Sequence, residues 1–195
     1  MLVTDDRWVR GRDLLELALS AQRGGITALQ VRLKEKTPRE LVELVRLLVD
    51  QLEVPVLVND RPDVAIAAGA AGAHVGPDDM PVELVRRVAP PGFIVGASVG
   101  SSGEAPAAAA ADYWGVGPWR DTATKGDAGR ALGADGFRQI VSLAAGRPCV
   151  AIGAVQPEDI PAVRSAGGVG VAVVSGILGA DDVELAARKY RQAAG

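Results

Sequence analysis

The sequence predicts a single-domain (β/α)8 TIM barrel with short loops, spanning residues 1–195. Three observations predict it. Short β-rich runs alternate strictly with helical patterns, eight of each; such alternation implies a parallel sheet, and eight units favour closure into a barrel. The β-rich runs are apolar through most of their length, as parallel strands covered on both faces are. Polar residues collect where those runs end, and a barrel carries its active site at the C-terminal ends of its strands. A barrel usually takes about 250 residues, so 195 leaves room only for short loops. A doubly wound open sheet is the alternative, but its G-x-G-x-x-G signature is missing.

Each element has its own signal. Leu2-Val3-Thr4 is a short first strand. Residues 12–23 carry a helical stripe of Leu14, Leu15, Leu17, Ala18 and Ala21, stopped by Gly24-Gly25. Ile26 to Val31 reads as strand two. Thr37 and Glu40 form a capping-box pair before a helix reaching about Leu52, with Leu41, Leu44, Val45, Leu48 and Val49 on one face. Residues 54–58 are strand three, and Pro62 opens a short helix that Gly69 ends. Strands four, five and six are residues 72–76, 93–97 and 112–116. Helices at 81–88 and, weakly and rich in alanine, 102–110 separate them. A segment from Gly117 to Gly133, rich in Gly, Asp, Thr and Arg, is a candidate mobile lid. A helix at 134–144, strand seven at 150–152, a helix at 157–166, strand eight at 169–174 and a closing helix at 181–193 complete the count.

Composition excludes several function classes. Hydrophobic residues make up 48% and charged residues 23%, the balance of a soluble globular chain. The net charge of −3 is spread out, with no basic block to attract nucleic acid or an anionic membrane. An anionic substrate must therefore be met locally, by a metal, a few Lys or Arg, or backbone N–H groups. No apolar run approaches the roughly 20 residues of a membrane span, and charge follows Met1 too soon for a signal peptide. The expectation is a cytoplasmic protein; a homo-oligomer is left open. Cys149, the one cysteine, sits in an apolar run and reads as a buried small hydrophobe.

The strand ends read as one site. Strand two ends in Gln30-Val31-Arg32-Leu33-Lys34, strand three in Asn59-Asp60, and strand four runs into Gly76-Pro77-Asp78-Asp79. Strand five ends near Ser98, and strand six leads to Thr122-Ala123-Thr124-Lys125. Strand seven ends in Gly153-Ala154 and strand eight in Val174-Ser175-Gly176. Each group alone has a plain reading, as a turn or a solvated loop. Together, Asp60 and Asp79 lie on adjacent strands and suit magnesium, which takes one or two carboxylates plus substrate phosphate oxygens. Arg32, Lys34 and Lys125 would neutralise the rest of a diphosphate, and the loops after strands seven and eight are the usual phosphate site of a barrel.

Those residues also resemble the thiamine phosphate synthase family over nearly the whole chain. The matching segments are LVTDD, LQVRLKEK, VLVNDRPDVAIAAGAAGAHVGPDD, VGAS, ADYWGVGP, TATK, VAIGA and GVAVVSGI. The resemblance implies a Mg2+-dependent transferase acting on small phosphorylated substrates. It would join hydroxymethylpyrimidine diphosphate to thiazole phosphate by a dissociative displacement of diphosphate. By resemblance, Asp60 and Asp79 bind the magnesium, and Arg32, Lys34, Asn59 and Lys125 hold the diphosphate. Gln30 and Ser98 contact the pyrimidine. Thr122, Thr124, Gly153 and Ser175, with Val174 beside it, bind the thiazole phosphate. Lys125, Arg32 and Ser98 carry the catalysis.

The chain departs from the family pattern at Pro77, where Gln is usual, at Gly100, where a His follows the strand-five Ser, and at Ala154, the second of a usual Gly-Gly. Trp119-Arg120-Asp121 replaces the usual lead into the Thr-x-Thr-Lys motif. The rival readings are a thiazole tautomerase, which needs the His that Gly100 replaces, and a non-catalytic binder of thiamine-related phosphates. His74 within strand four reads as a packed structural residue. Trp114 reads as barrel wall, and Trp119 as a ring that either packs or stacks on substrate.

Overall fold

The computed structural model describes residues 1–121 and 130–195. Eight strands lie in the order β1 (Leu2–Val3), β2 (Leu29–Val31), β3 (Val56–Asn59), β4 (Gly72–Val75), β5 (Ile94–Val99), β6 (Tyr113–Val116), β7 (Cys149–Ala151) and β8 (Gly170–Val171). Every neighbouring pair is parallel. Past β8 the chain meets β1 at a parallel bridge between Leu2 and Val173, with Val3 N–H donating to the Val173 carbonyl at 2.9 Å. That seam closes the sheet on itself, so the barrel leaves no open edge between β8 and β1.

The helices are α1 (Asp6–Val9), α2 (Leu14–Arg23), α3 (Pro38–Gln51), α4 (Pro62–Ala68), α5 (Val82–Val88), α6 (Gly133–Ser142), α7 (Ile160–Ser165), α8 (Ser175–Leu178) and α9 (Val183–Ala194). Several of their starts follow from capping chemistry. Thr37 and Glu40 form the reciprocal capping box before α3, and Asp13 and Asp182 cap α2 and α9 with their carboxylates. Gly69 ends α4 in the left-handed conformation, at φ 73.

Side-chain alternation divides the strands into two faces. Leu29 and Val31, Val56 and Val58, Ala73 and Val75, and Trp114 and Val116 belong to the apolar cluster packed under the helices. The intervening residues, among them Gln30, Leu57, His74, Gly96 and Tyr113, lie outside that cluster and point into the barrel, because successive strand residues face opposite sides. The outer face is thus uniformly apolar and the inner one partly polar.

Several expectations are corrected. Residues 102–110 do not form a helix: a 3-10 turn covers Ser102–Glu104 and turns follow. Ala105, Ala108 and Ala111 are the buried residues there, a spacing of three that suits 3-10 geometry, and Pro106 lacks an amide for an α-helical bond. Arg12 stands before its helix rather than in it, because Asp13 takes the cap. The short helices α1 and α8 carry no periodic signal over four residues and were not foreseen. Strand eight ends at Val171 rather than Val174, and Val174 instead caps α8.

Candidate active site

The C-terminal strand ends bring Asp60 and Asp79 together. Asp60 follows β3 with φ 61, a left-handed backbone that Asp tolerates better than most residues. Its N–H donates to the His74 carbonyl at 2.8 Å, which holds this turn against β4. Asp79 is folded back by the Gly76 N–H, which donates to its Oδ2 at 2.7 Å. Burial, and then the adjacent Asp79 carboxyl, push Asp60 up to about 6, against the pull of Lys34 and Arg32. Two crowded carboxyls that raise proton affinity form the kind of site a hard divalent cation neutralises. Among the described residues no group of three or more His, Cys, Asp and Glu could hold a metal.

The cations stand beside that pair. Lys34 Nζ lies 3.7 Å from Asp60 Oδ2 and is otherwise exposed. Arg32 is half-buried, with Nη1 donating to Asp5 Oδ2 at 2.7 Å. Buried Thr4 clamps the Arg32 backbone, accepting from its N–H at 2.8 Å and donating to its carbonyl at 3.2 Å. Asp6 accepts from the Lys34 N–H at 2.7 Å. Asp5, Asp6 and Thr4 therefore position both basic residues. Sequence reasoning missed these partners, although an acidic pair directly after strand one was a readable signal. Asn59, half-buried, closes β3 next to Asp60.

On the other side of the mouth, Gly153 has φ 98 and Ala154 φ 51. A Cβ on Gly153 would sit 2.6 Å from Pro118 Cβ, whereas Ala154 is exposed and carries its Cβ in a left-handed turn. The two positions should respond oppositely. Gly153→Ala is expected to destabilise the fold by about 2–3 kcal/mol, and Ala154→Gly to leave it within about 1 kcal/mol, because relief of strain offsets the added freedom of the unfolded chain. Urea unfolding midpoints check this; equal losses at both positions would contradict it. Ser175 opens α8 in an exposed position, with Val174 half-buried as its cap. Gly176 must be glycine, since a Cβ there would collide with the Tyr190 hydroxyl, which donates to the Val155 carbonyl at 2.9 Å.

Trp119 packs into the core. It is buried, lies edge-on to Phe137 with ring centroids 5.5 Å apart, and hydrogen-bonds the Asp159 carboxyl. Burial would raise Asp159, but the Arg120 guanidinium at 2.5 and 3.0 Å and the Gln156 N–H outweigh it and hold the carboxyl low. Pro118 and Trp119 carbonyls accept from the Leu132 and Gly133 N–H groups, so the two ends of the 117–133 segment are joined at its base. Thr122, Thr124 and Lys125 lie outside the described residues, as does the middle of the expected lid, residues 122–129.

Beneath the mouth runs a polar layer. Tyr113 Oη is 2.9 Å from His74 Nδ1, and His74 Nε2 is 3.0 Å from Ser98 Oγ. Gln30 of β2 lies beside the same phenol, with its Nε2 donating to Met1 Sδ at 3.8 Å. Gly100, where the resemblance expects a His, has its N–H bound to Glu104 Oε2 at 2.8 Å. The one imidazole of the chain is therefore committed to the barrel interior. Trp114 is barrel wall and Cys149 is buried, as expected.

Known proteins resemble this chain over nearly its whole length. The family model described as thiamine monophosphate synthase matches residues 1–177. A thiamine-phosphate synthase of Azorhizobium caulinodans is 45% identical over 195 residues, covering 97% of this chain and 92% of that protein. The solved thiamine phosphate pyrophosphorylase from Pyrococcus furiosus superposes with a TM-score of 0.86 at 36% identity, covering 99% of this chain and 94% of the other. Orotidine 5'-phosphate decarboxylase from Pyrococcus horikoshii, at 16% identity and a TM-score of 0.73, shares the fold alone.

Proposed function

The chain belongs to the thiamine monophosphate synthase family, and from that premise we propose that it joins hydroxymethylpyrimidine diphosphate to thiazole phosphate, releasing diphosphate. This makes it a transferase of small phosphorylated molecules. Among the described residues no helix is long and apolar enough to cross a membrane. The reading expects a cytoplasmic protein that works without nucleic acid. The observation that carries the proposal is the Asp60–Asp79 pair with Lys34 and Arg32 beside it, a site for a metal-bound diphosphate.

The residues fit magnesium, since the crowded carboxyls supply the one or two protein ligands it favours. Held by Asp60 and Asp79, it would supply charge stabilisation for the departing diphosphate. Arg32, Lys34, Asn59 and Lys125 would bind the same oxygens, and Arg32 is already oriented by Asp5. The C–O bond from the pyrimidine methylene to diphosphate breaks with its electron pair going to oxygen. The thiazole nitrogen lone pair then forms the new C–N bond. Gln30 and Ser98 would orient the pyrimidine, and Thr122, Thr124, Gly153, Val174 and Ser175 the thiazole phosphate. The protein's contribution is placement and preset charge rather than proton transfer.

Diphosphate release tests the proposal. Release from the pyrimidine diphosphate should require both thiazole phosphate and magnesium, and omission of either should return it to background. Release that ignores thiazole phosphate would indicate a hydrolase, and no release under any condition would indicate a binder.

A further inference from the structure

The polar layer inside the barrel is more than filler, and resting on the reading above it adds a role for residues outside the diphosphate site. We propose that Tyr113, His74 and Ser98 form a directed hydrogen-bond wire that fixes Ser98 as a hydrogen-bond donor, so that the site selects a heteroaromatic ring presenting a nitrogen lone pair. Tyr113 and His74 are positioning residues in this scheme, and Ser98 is the group that touches substrate.

The direction follows from counting protons. Burial raises the Tyr113 phenol and keeps its proton in place. Among the described residues its hydrogen-bond partner is His74 Nδ1, 2.9 Å away, and a buried O–H left without an acceptor is costly, so the phenol donates its single proton there. An Nδ1 that accepts places the proton of a neutral imidazole on Nε2, which then donates to Ser98 Oγ at 3.0 Å. The Ser98 hydroxyl, having accepted, turns its own hydrogen outward to the half-exposed side facing the cavity.

The barrel is cut to hold this wire. Tyr113 and His74 are 9% and 7% exposed, far from the water that would otherwise scramble their bonding. Gly96 stands in register between His74 and Tyr113, and a Cβ there would fall 2.5 Å from His74 Nδ1 and 2.2 Å from Tyr113 Cζ. Gly115, opposite Ser98, leaves the room for the imidazole edge, its Cβ falling 3.0 Å from His74 Cε1. Two glycines on adjacent strands thus form the socket for the pair. Among the described residues no buried side-chain N or O lacks a partner, and the two bonds at 2.9 and 3.0 Å join the three members of the wire.

His74 is the only histidine, so its ring nitrogens can be read without assignment. The nitrogen-15 spectrum of the labelled wild-type protein should show a single Nε2–H tautomer. An Nδ1–H tautomer, or an exchanging mixture, overturns the proposal, whether or not the protein turns over. Tyr113→Phe should mix the tautomers and raise KM for the pyrimidine diphosphate about five- to tenfold, with KM for thiazole phosphate unchanged. His74→Gln, which keeps a side-chain N–H, should recover most of that KM, and His74→Leu should not. An unchanged pyrimidine KM in both Tyr113→Phe and His74→Leu, with cooperative melting retained, overturns the wire. If the synthase reading itself fails, wild type shows no turnover, and the tautomer alone decides the wire.

Discussion

Asp60→Asn is expected to lower diphosphate release at saturating magnesium by about a thousandfold and yet to raise the melting temperature of the metal-free protein. The two effects have one cause. Asn matches Asp in shape and tolerates the left-handed backbone at φ 61, so the 2.8 Å bond from the residue 60 N–H to the His74 carbonyl survives the change. Only the charge goes, and with it half of the acidic pair. In the absence of a cation that charge is a liability, since burial and Asp79 push the Asp60 carboxyl up to about 6. A folded-state value above the ordinary one means that the stability contribution is fully present below the unfolded carboxyl's value, about pH 4, and is lost as pH rises through about 6. At pH 8 the metal-free wild type therefore lacks about 1–2 kcal/mol that the variant keeps, or about 3–6 °C. Calorimetric scans at pH 8, with and without magnesium, check this. Magnesium should raise the wild-type transition and leave the variant's in place. A variant that still releases diphosphate and melts as wild type would remove Asp60 from the metal site.

Gly96→Ala should be the most damaging single-methyl change in the barrel interior. The added carbon would lie 2.2 Å from Tyr113 Cζ and 2.5 Å from His74 Nδ1, and neither ring can retreat, because the two are bonded to each other and His74 to Ser98. Overpacking of this kind costs about 3 kcal/mol or more, which for a chain of this size lowers the melting temperature by roughly 6–12 °C. Gly103→Ala is the matched control, since its Cβ would meet only Ser101 Oγ at 3.8 Å. A Gly96→Ala protein melting within about 2 °C of wild type would mean that the two rings can shift, and that the layer is softer than its geometry implies.

The barrel was legible in the sequence because its signals are local. Thr37 with Glu40, Pro62 and Gly69 mark helix ends chemically, and apolar runs of parallel-strand type fall between them. The failures are equally physical. Four residues cannot show a helical period, so α1 and α8 were invisible, and the alanines after Ser102 have strong helix propensity but too little apolar surface to enforce it. Asp60 and Asp79 were legible as a pair because β3 and β4 are sequential neighbours. The Tyr113–His74–Ser98 layer was not, because its members are spread over β4, β5 and β6, and what joins them is inward alternation plus two glycines. Trp119 was ambiguous for a related reason: its partners, Phe137 and Asp159, lie on later elements.

The joined base of the 117–133 segment bears on how this protein could be redesigned. Two backbone rungs, Leu132 to Pro118 and Gly133 to Trp119, fix where the chain leaves the barrel wall and where it returns. With both ends tethered, closure entropy grows only with the logarithm of what is threaded between them, about 0.6 kcal/mol for each doubling of length. Sequences grafted between these rungs should therefore be accepted as a cassette, changing what the rim recognises while the scaffold melts as before. The interior layer offers no such freedom, since an exchange there breaks a bond on each side of the substituted residue.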